Sequence, residues 1–216
     1  MADERDEQSE QDVRASIEAE VRGEVRLGHR DDEDLIDYLG DGLIEDSELS
    51  EDARSRLRRY LGDRIRAERG ILNAEMTEWP EKTDCDRLDA AIYSLNRNGI
   101  VLWAVSPCCN TCTMAEFPEY VDFLTESDPS LRNRLRGYAY FYDQGMAEDL
   151  AENTTIRVYL GFGSTRGDEV DDYETEAIQI GREVADALRT ADLHVEWNGE
   201  LSKKIGLSLD WKRRPE

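Results

Sequence analysis

A chain of 216 residues with 50 Asp and Glu against 27 Lys and Arg, a formal net charge of −23, has room for one domain with an appendage or two small domains. Such a charge repels polyanions, which excludes DNA, RNA and anionic membrane surfaces as partners. No apolar run approaches the length of a membrane span, and the start Met1-Ala2-Asp3-Glu4-Arg5 has neither the basic nor the apolar region of a signal peptide. The expected setting is therefore the cytoplasm. Among the basic residues only Lys82, Lys203, Lys204 and Lys212 are lysine. An acidic, lysine-poor surface of this kind is expected of a halophilic protein, whose carboxylates keep it hydrated in molar salt.

Residues 1–12 are almost wholly polar and acidic and are expected to be disordered. From there Val13, Ile17, Val21 and Val25 recur every fourth residue, a narrow apolar stripe on a helix that Gly28 ends. The stripe packs either on the chain itself or on a partner chain. A short helix with Leu35, Ile36 and Leu39 inward is expected to break at Gly40 and Gly42. Ser50 reads as the N-cap of a helix running to about Arg69, with Ala53, Leu57, Leu61 and Ile65 at helical spacing and arginines on the remaining faces. Within so acidic a chain, those arginines are expected to pair with its own carboxylates.

After a connector containing Trp79-Pro80, Thr83 and Asp86 have the spacing of a capping box. The helix they open ends at Asn98-Gly99. Ile100–Val105 is a continuous apolar run, expected of a strand buried on both faces. A helix over 114–124, an aromatic strand over 137–142, a short helix over 146–152 and a strand over 155–162 follow. The segment 161–172 reads as a glycine-rich acidic loop. A helix over 173–190 carries Ala177, Gly181, Val184 and Leu188 on one face. Strands over 193–197 and 204–211, joined through Asn198-Gly199, read as an antiparallel hairpin. The order predicts an α/β fold, with α+β as the alternative: a mixed sheet with flanking helices and a C-terminal antiparallel hairpin over 79–214, preceded by a helical N-terminal region over 13–78.

The chemistry-bearing stretch is Ser106-Pro107-Cys108-Cys109-Asn110-Thr111-Cys112, where three of the four cysteines fall within five residues between a strand and a helix. Cys109-x-x-Cys112 has the spacing at which two thiolates grip one zinc ion, with Cys108 and Cys85 as further metal ligands. His194 is a more distant option. The same strand-then-C-x-x-C-then-helix layout suits dithiol exchange. Glu116 and Glu119 disfavour a thiolate, and a third reading makes the cysteines small buried residues at a tight turn. Gly161-Phe162-Gly163-Ser164 lacks the lysine of a phosphate-binding loop, and Asp168, Glu169, Asp171 and Asp172 would repel a phosphate. Neither a serine-nucleophile elbow nor a histidine with an evident catalytic partner is present.

The landmarks Trp79-Pro80, Thr83-Asp84, Asp86-Arg87-Leu88, Gly99-Ile100, Cys108-Cys109, Cys112, Gly161-Phe162-Gly163, Ala177-Ile178, Trp197, Gly199 and Asp210-Trp211 resemble an uncharacterised prokaryotic family, domain of unknown function 6891. The resemblance covers roughly residues 13–214 and implies a shared fold and surface, with no activity to carry over. Tyr142-Asp143 departs from it where a histidine would be expected. The expected function is a non-enzymatic module that binds a protein partner or itself. The alternative is a zinc or thiol-redox protein acting through Cys108, Cys109 and Cys112.

Overall fold

The apolar stripe lies on α1 (Ala2–Leu27), where Ile17, Val21 and Val25 are almost completely buried. The structure is a computed structural model and describes the backbone of residues 2–107, 109–167 and 172–214, with side chains from Ser9 onward. The segment expected to be disordered over 1–12 is helical from Ala2. Glu10 pairs with Arg14 at 3.1 Å and Arg56 at 2.7 Å, and the Arg56 guanidinium holds its carboxyl below the usual carboxylate range.

Helix α2 (Asp32–Gly40) is capped by Asp31, whose carboxylate accepts from the backbone of Glu33 and Asp34 at 2.9 Å each. Gly40 and Gly42 do not break the chain into a loop; residues Asp41–Glu45 widen into a π-helical turn. Both Leu39 and Ile44, five residues apart, thereby reach the same core. Helix α3 (Glu51–Met76) opens on Ser50 and passes Arg69 and Gly70, because Leu72 continues the buried row of Ala53, Leu57, Leu61 and Ile65. Each fully buried Leu or Ile of this row stabilises the fold by roughly 1.5–3 kcal/mol. The arginines around them pair internally: Arg26 with Glu75 at 2.6 Å, Arg64 with Glu68 at 2.8 Å, Arg69 with Asp32 at 2.9 Å. Partly exposed pairs contribute about 0–1 kcal/mol each, so burial rather than charge holds this layer together.

The chain divides into two units that are interleaved in sequence. One comprises 1–81, 145–154 and 211–216, the other 82–144 and 155–210. In the first, α7 (Met146–Glu152) lies so close against α1 that a Cβ on Gly23 would come within 1.8 Å of the Ala147 carbonyl oxygen. Trp211 is also in this unit: its indole N–H is shared between the carbonyls of Arg26 and Leu27, at 3.2 and 3.3 Å.

The second unit is a mixed α/β layer structure. Helix α4 (Asp84–Arg97) starts at the expected capping box, with Thr83 and Asp86 bonded reciprocally. Five strands follow in the sheet order β1-β2-β3-β5-β4: β1 (Ile100–Ser106), β2 (Gly137–Tyr142), β3 (Thr155–Ser164), β4 (His194–Glu196) and β5 (Ile205–Asp210). Strands β1 and β2 are parallel and the other neighbours antiparallel. The helices between them are α5 (Asn110–Ser127), α6 (Leu131–Arg134) and α8 (Tyr173–Thr190). The face of the sheet bearing Leu102, Phe141, Val158, Leu160 and Leu207 is buried, and α4 and α8 pack on the strands. On the opposite face Phe117 and Val121 of α5 meet Val101, Trp103 and Tyr138, and Trp103 stacks on Tyr120 at 4.4 Å between ring centres.

Strand β3 runs two residues past the expected end at 162 and takes in Gly163 and Ser164, which had read as loop. Tyr140 and Tyr138 of β2 stand over Gly161 and Gly163; a Cβ at either glycine would lie within 3 Å of the opposing tyrosine. The glycines are there to admit aromatic rings, and the acidic residues Asp168, Glu169 and Asp171 of the adjoining segment lie outside the described residues. Asp172 caps α8 through the Thr175 backbone at 3.1 Å.

Candidate functional site

Strand β1 does not end smoothly. Its register with β2 shifts between Trp103 and Ser106, and Val105 takes a φ of 53°, a region a β-branched residue rarely occupies. This bulge turns the chain out of the sheet and delivers Cys109 to the N-cap of α5. The helix begins at Asn110, four residues before the predicted start, so Cys112 stands in its first turn. The sulfurs of Cys109 and Cys112 are 3.7 Å apart and both residues are half-buried. That separation is a contact between two thiols; a disulfide would bring them to about 2.05 Å.

The turn is clamped from beneath. Ser106 and Thr113 are fully buried and their hydroxyls are 2.7 Å apart. One hydroxyl donates to the other, and the one that accepts donates in turn to a carbonyl: Ser106 to that of Phe141 at 3.2 Å, or Thr113 to that of Pro107 at 3.4 Å. From β2 the Tyr140 hydroxyl donates to the side-chain carbonyl of Asn110, which lies between the two cysteines in sequence. Burial, with Tyr142 adding, pushes the Tyr140 phenol up, which keeps it protonated and able to donate. Burial likewise pushes neighbouring Tyr138 up to about 12, with Tyr173 contributing.

Cys85 is buried on α4 and does not join this pair. Among the described residues no three Cys, His, Asp or Glu side chains converge in a way that could hold a metal ion. Cys108 lies outside the described residues. His194, the remoter option, stands on β4 beside Glu196 at 3.2 Å. No acidic side chain occupies the first turn of α5; Glu116 and Glu119 come later along it. Sequence reasoning missed Ser106, Thr113 and Tyr140. The first two flank the cysteines and carry hydroxyls, which was the available signal; Tyr140 reaches the motif only through the sheet.

The match to a known family comes from the whole chain, not from this turn alone. The model of a domain of unknown function, DUF6891, matches residues 10–215. The chain belongs to the DUF6891 family. Comparison with curated proteins and with solved structures produced no match. Because the family's description carries no activity, the chemistry of this DUF6891 chain has to be argued from its own residues. No helix of the described residues is long and apolar enough to cross a membrane.

Proposed function

We propose that this DUF6891 protein is a cytoplasmic thiol protein in which Cys109 and Cys112 cycle between dithiol and disulfide. The observation that carries the reading is the pair of half-buried sulfurs 3.7 Å apart at the head of an 18-residue helix. Thiolates are stabilised at helix N-termini, where the aligned peptide dipoles leave partial positive charge. One thiolate of the pair attacks a substrate disulfide, forming a mixed disulfide and releasing the first substrate thiol. The second cysteine then attacks its neighbour's sulfur and releases the other. Two electrons pass from the cysteine sulfurs to the substrate, and the two thiol protons end on the released thiols. Dithiol exchange is preferred to zinc binding because a closed zinc site takes four ligands and the described residues bring together two.

Incubating the reduced protein with a small disulfide such as hydroxyethyl disulfide is expected to remove about 2 Da and two alkylatable thiols, with peptide mapping assigning the link to Cys109–Cys112. Cys109→Ser and Cys112→Ser each abolish the internal link, while Cys85→Ser leaves it intact. A link to Cys108 instead, or stoichiometric zinc in freshly purified protein, would overturn the assignment.

The protein-interaction reading keeps one specific support, the aromatic rings of Tyr93 on α4 and Phe123 on α5, each 66 % exposed. The stripe that first suggested it is buried within the chain's own helical unit. A halophilic setting is inferred from the charge: with a net −23, self-repulsion reaches about 30 Å in 0.01 M salt and about 3 Å in 1 M. The melting temperature should accordingly be higher in molar KCl than in dilute buffer, and equal values would count against salt adaptation.

A further inference from the structure

The face of the sheet that α5 covers over β1 and β2 is open over β3, β5 and β4. Strand register places Tyr159, Gly206 and Glu196 in one cross-strand row, and Arg157, Ser208 and His194 in the next. Over this face lies a shallow cleft of about 410 Å³ lined by Arg157, Tyr159, Glu196, Asn198, Lys203 and Lys204 among others. Its charge is opposite to that of the chain. Three cations face one carboxylate, in a protein where carboxylates outnumber basic residues almost two to one.

The cations are held in place. Arg157 crosses β5 where Gly206 lets it pass, a Cβ there meeting its Nη2 at 3.2 Å, and its guanidinium reaches Glu196 at 2.5 Å. The Lys204 ammonium sits 5.0 Å from the centre of the Tyr142 ring. The loop carrying both lysines is pinned by Trp197, whose indole N–H donates to the carbonyls of Lys203 and Glu200 at 2.9 and 3.2 Å. Among the described residues neither lysine has a carboxylate within 4.0 Å, whereas many arginines, Arg26, Arg58, Arg64, Arg69 and Arg136 among them, are paired. Two lysines left without carboxylates in so acidic a chain leave a local excess of positive charge that a dianion would neutralise. The distant negative charges do not decide the matter, since they are screened beyond about 10 Å at 0.1 M salt while contacts inside the cleft are not. Tyr159, 52 % exposed, adds a flat apolar surface beside the charges.

We propose that this cleft binds a small organic dianion of the phosphate monoester class, its phosphate between Lys203, Lys204 and Arg157 and its organic part against Tyr159. The site shares no residue with the cysteine turn and stands independently of the thiol reading. Phenyl phosphate is the probe. The full chain is titrated by calorimetry in about 0.1 M KCl, or in the lowest higher concentration that keeps it folded by circular dichroism. Saturable binding with a Kd of about 1 mM or tighter is expected. Lys203→Glu combined with Lys204→Glu weakens it by about tenfold or more, as the loss of two charge-assisted contacts requires. Tyr159→Ala weakens it by a smaller factor, and Lys82→Glu, outside the cleft, leaves it unchanged. Circular dichroism of each variant verifies the fold. The proposal is overturned by absence of saturation, by undiminished affinity in the folded double-lysine variant, or by an equal loss in Lys82→Glu.

Discussion

Replacing Gly99 by alanine is expected to destabilise the protein by about 2–5 kcal/mol, the sum of a left-handed backbone penalty and a steric clash. Gly99 has a φ of +76°, and a Cβ placed on it would lie 2.0 Å from the Arg134 carbonyl oxygen. The clash is with backbone, so no side chain can rotate out of the way. The position also starts the parallel pair of the sheet. The Gly99 carbonyl accepts from the backbone of Arg136 at 2.8 Å and Gly137 at 3.2 Å, immediately before Ile100 and Gly137 fall into register. Displacing it loosens β1 where it joins β2 and, at the strand's far end, the cysteine turn. Gly199→Ala is the matched control: its φ is +84°, but nothing lies within 4 Å of the added methyl, so it should cost only about 1–2 kcal/mol. Urea denaturation of both variants, followed by circular dichroism, separates the two contributions. Equal losses would mean that the close approach of Arg134 is absent in solution.

Trp211→Ala should cost about 3–5 kcal/mol, the range for truncating a large buried aromatic residue. Trp211 is only 3 % exposed. Its backbone N–H donates to the Thr154 carbonyl at 2.7 Å, and its indole N–H to the carbonyls at the end of α1. Arg213 lies over the ring at 5.4 Å. Trp211→Phe keeps most of the apolar area and gives up the indole hydrogen bond, so about 0.5–1.5 kcal/mol is expected. Hydrogen exchange localises the effect: amides of α1 and α7 should lose protection first in the alanine variant. A loss spread evenly along the chain would contradict the placement of this residue in the helical unit.

Much of the architecture was legible in the residues because the signals are local. The capping box at Thr83 and Asp86, the N-cap at Ser50 and the four-residue steps of α1 and α3 each depend on side chains within one or two turns of each other. The antiparallel hairpin at the C-terminus and the mixed sheet with flanking helices followed from the order of such elements. The errors have the opposite character. Helix α3 passes Gly70 because Leu72 has a core to reach, and β3 runs through Gly161 and Gly163 because tyrosines of another strand occupy the space above them. Glycine reads as a breaker when its neighbours in space are unknown.

The same division holds for the site. Read alone, the residues place three thiols between an apolar run and a segment patterned as a helix, in a chain of net charge −23. They could not say that Cys109 and Cys112 touch while Cys85 stays apart on α4, because sulfur separation depends on a bulge at Val105 and on buried hydroxyls pairing across the turn. Nor could they gather Arg157 with Lys203 and Lys204, which lie more than forty residues apart in sequence and meet only through the register of β3 and β5. Local periodicity decides which elements form. Only the tertiary structure decides which of their side chains become neighbours, since that is set by packing between segments whose sequences carry no record of one another.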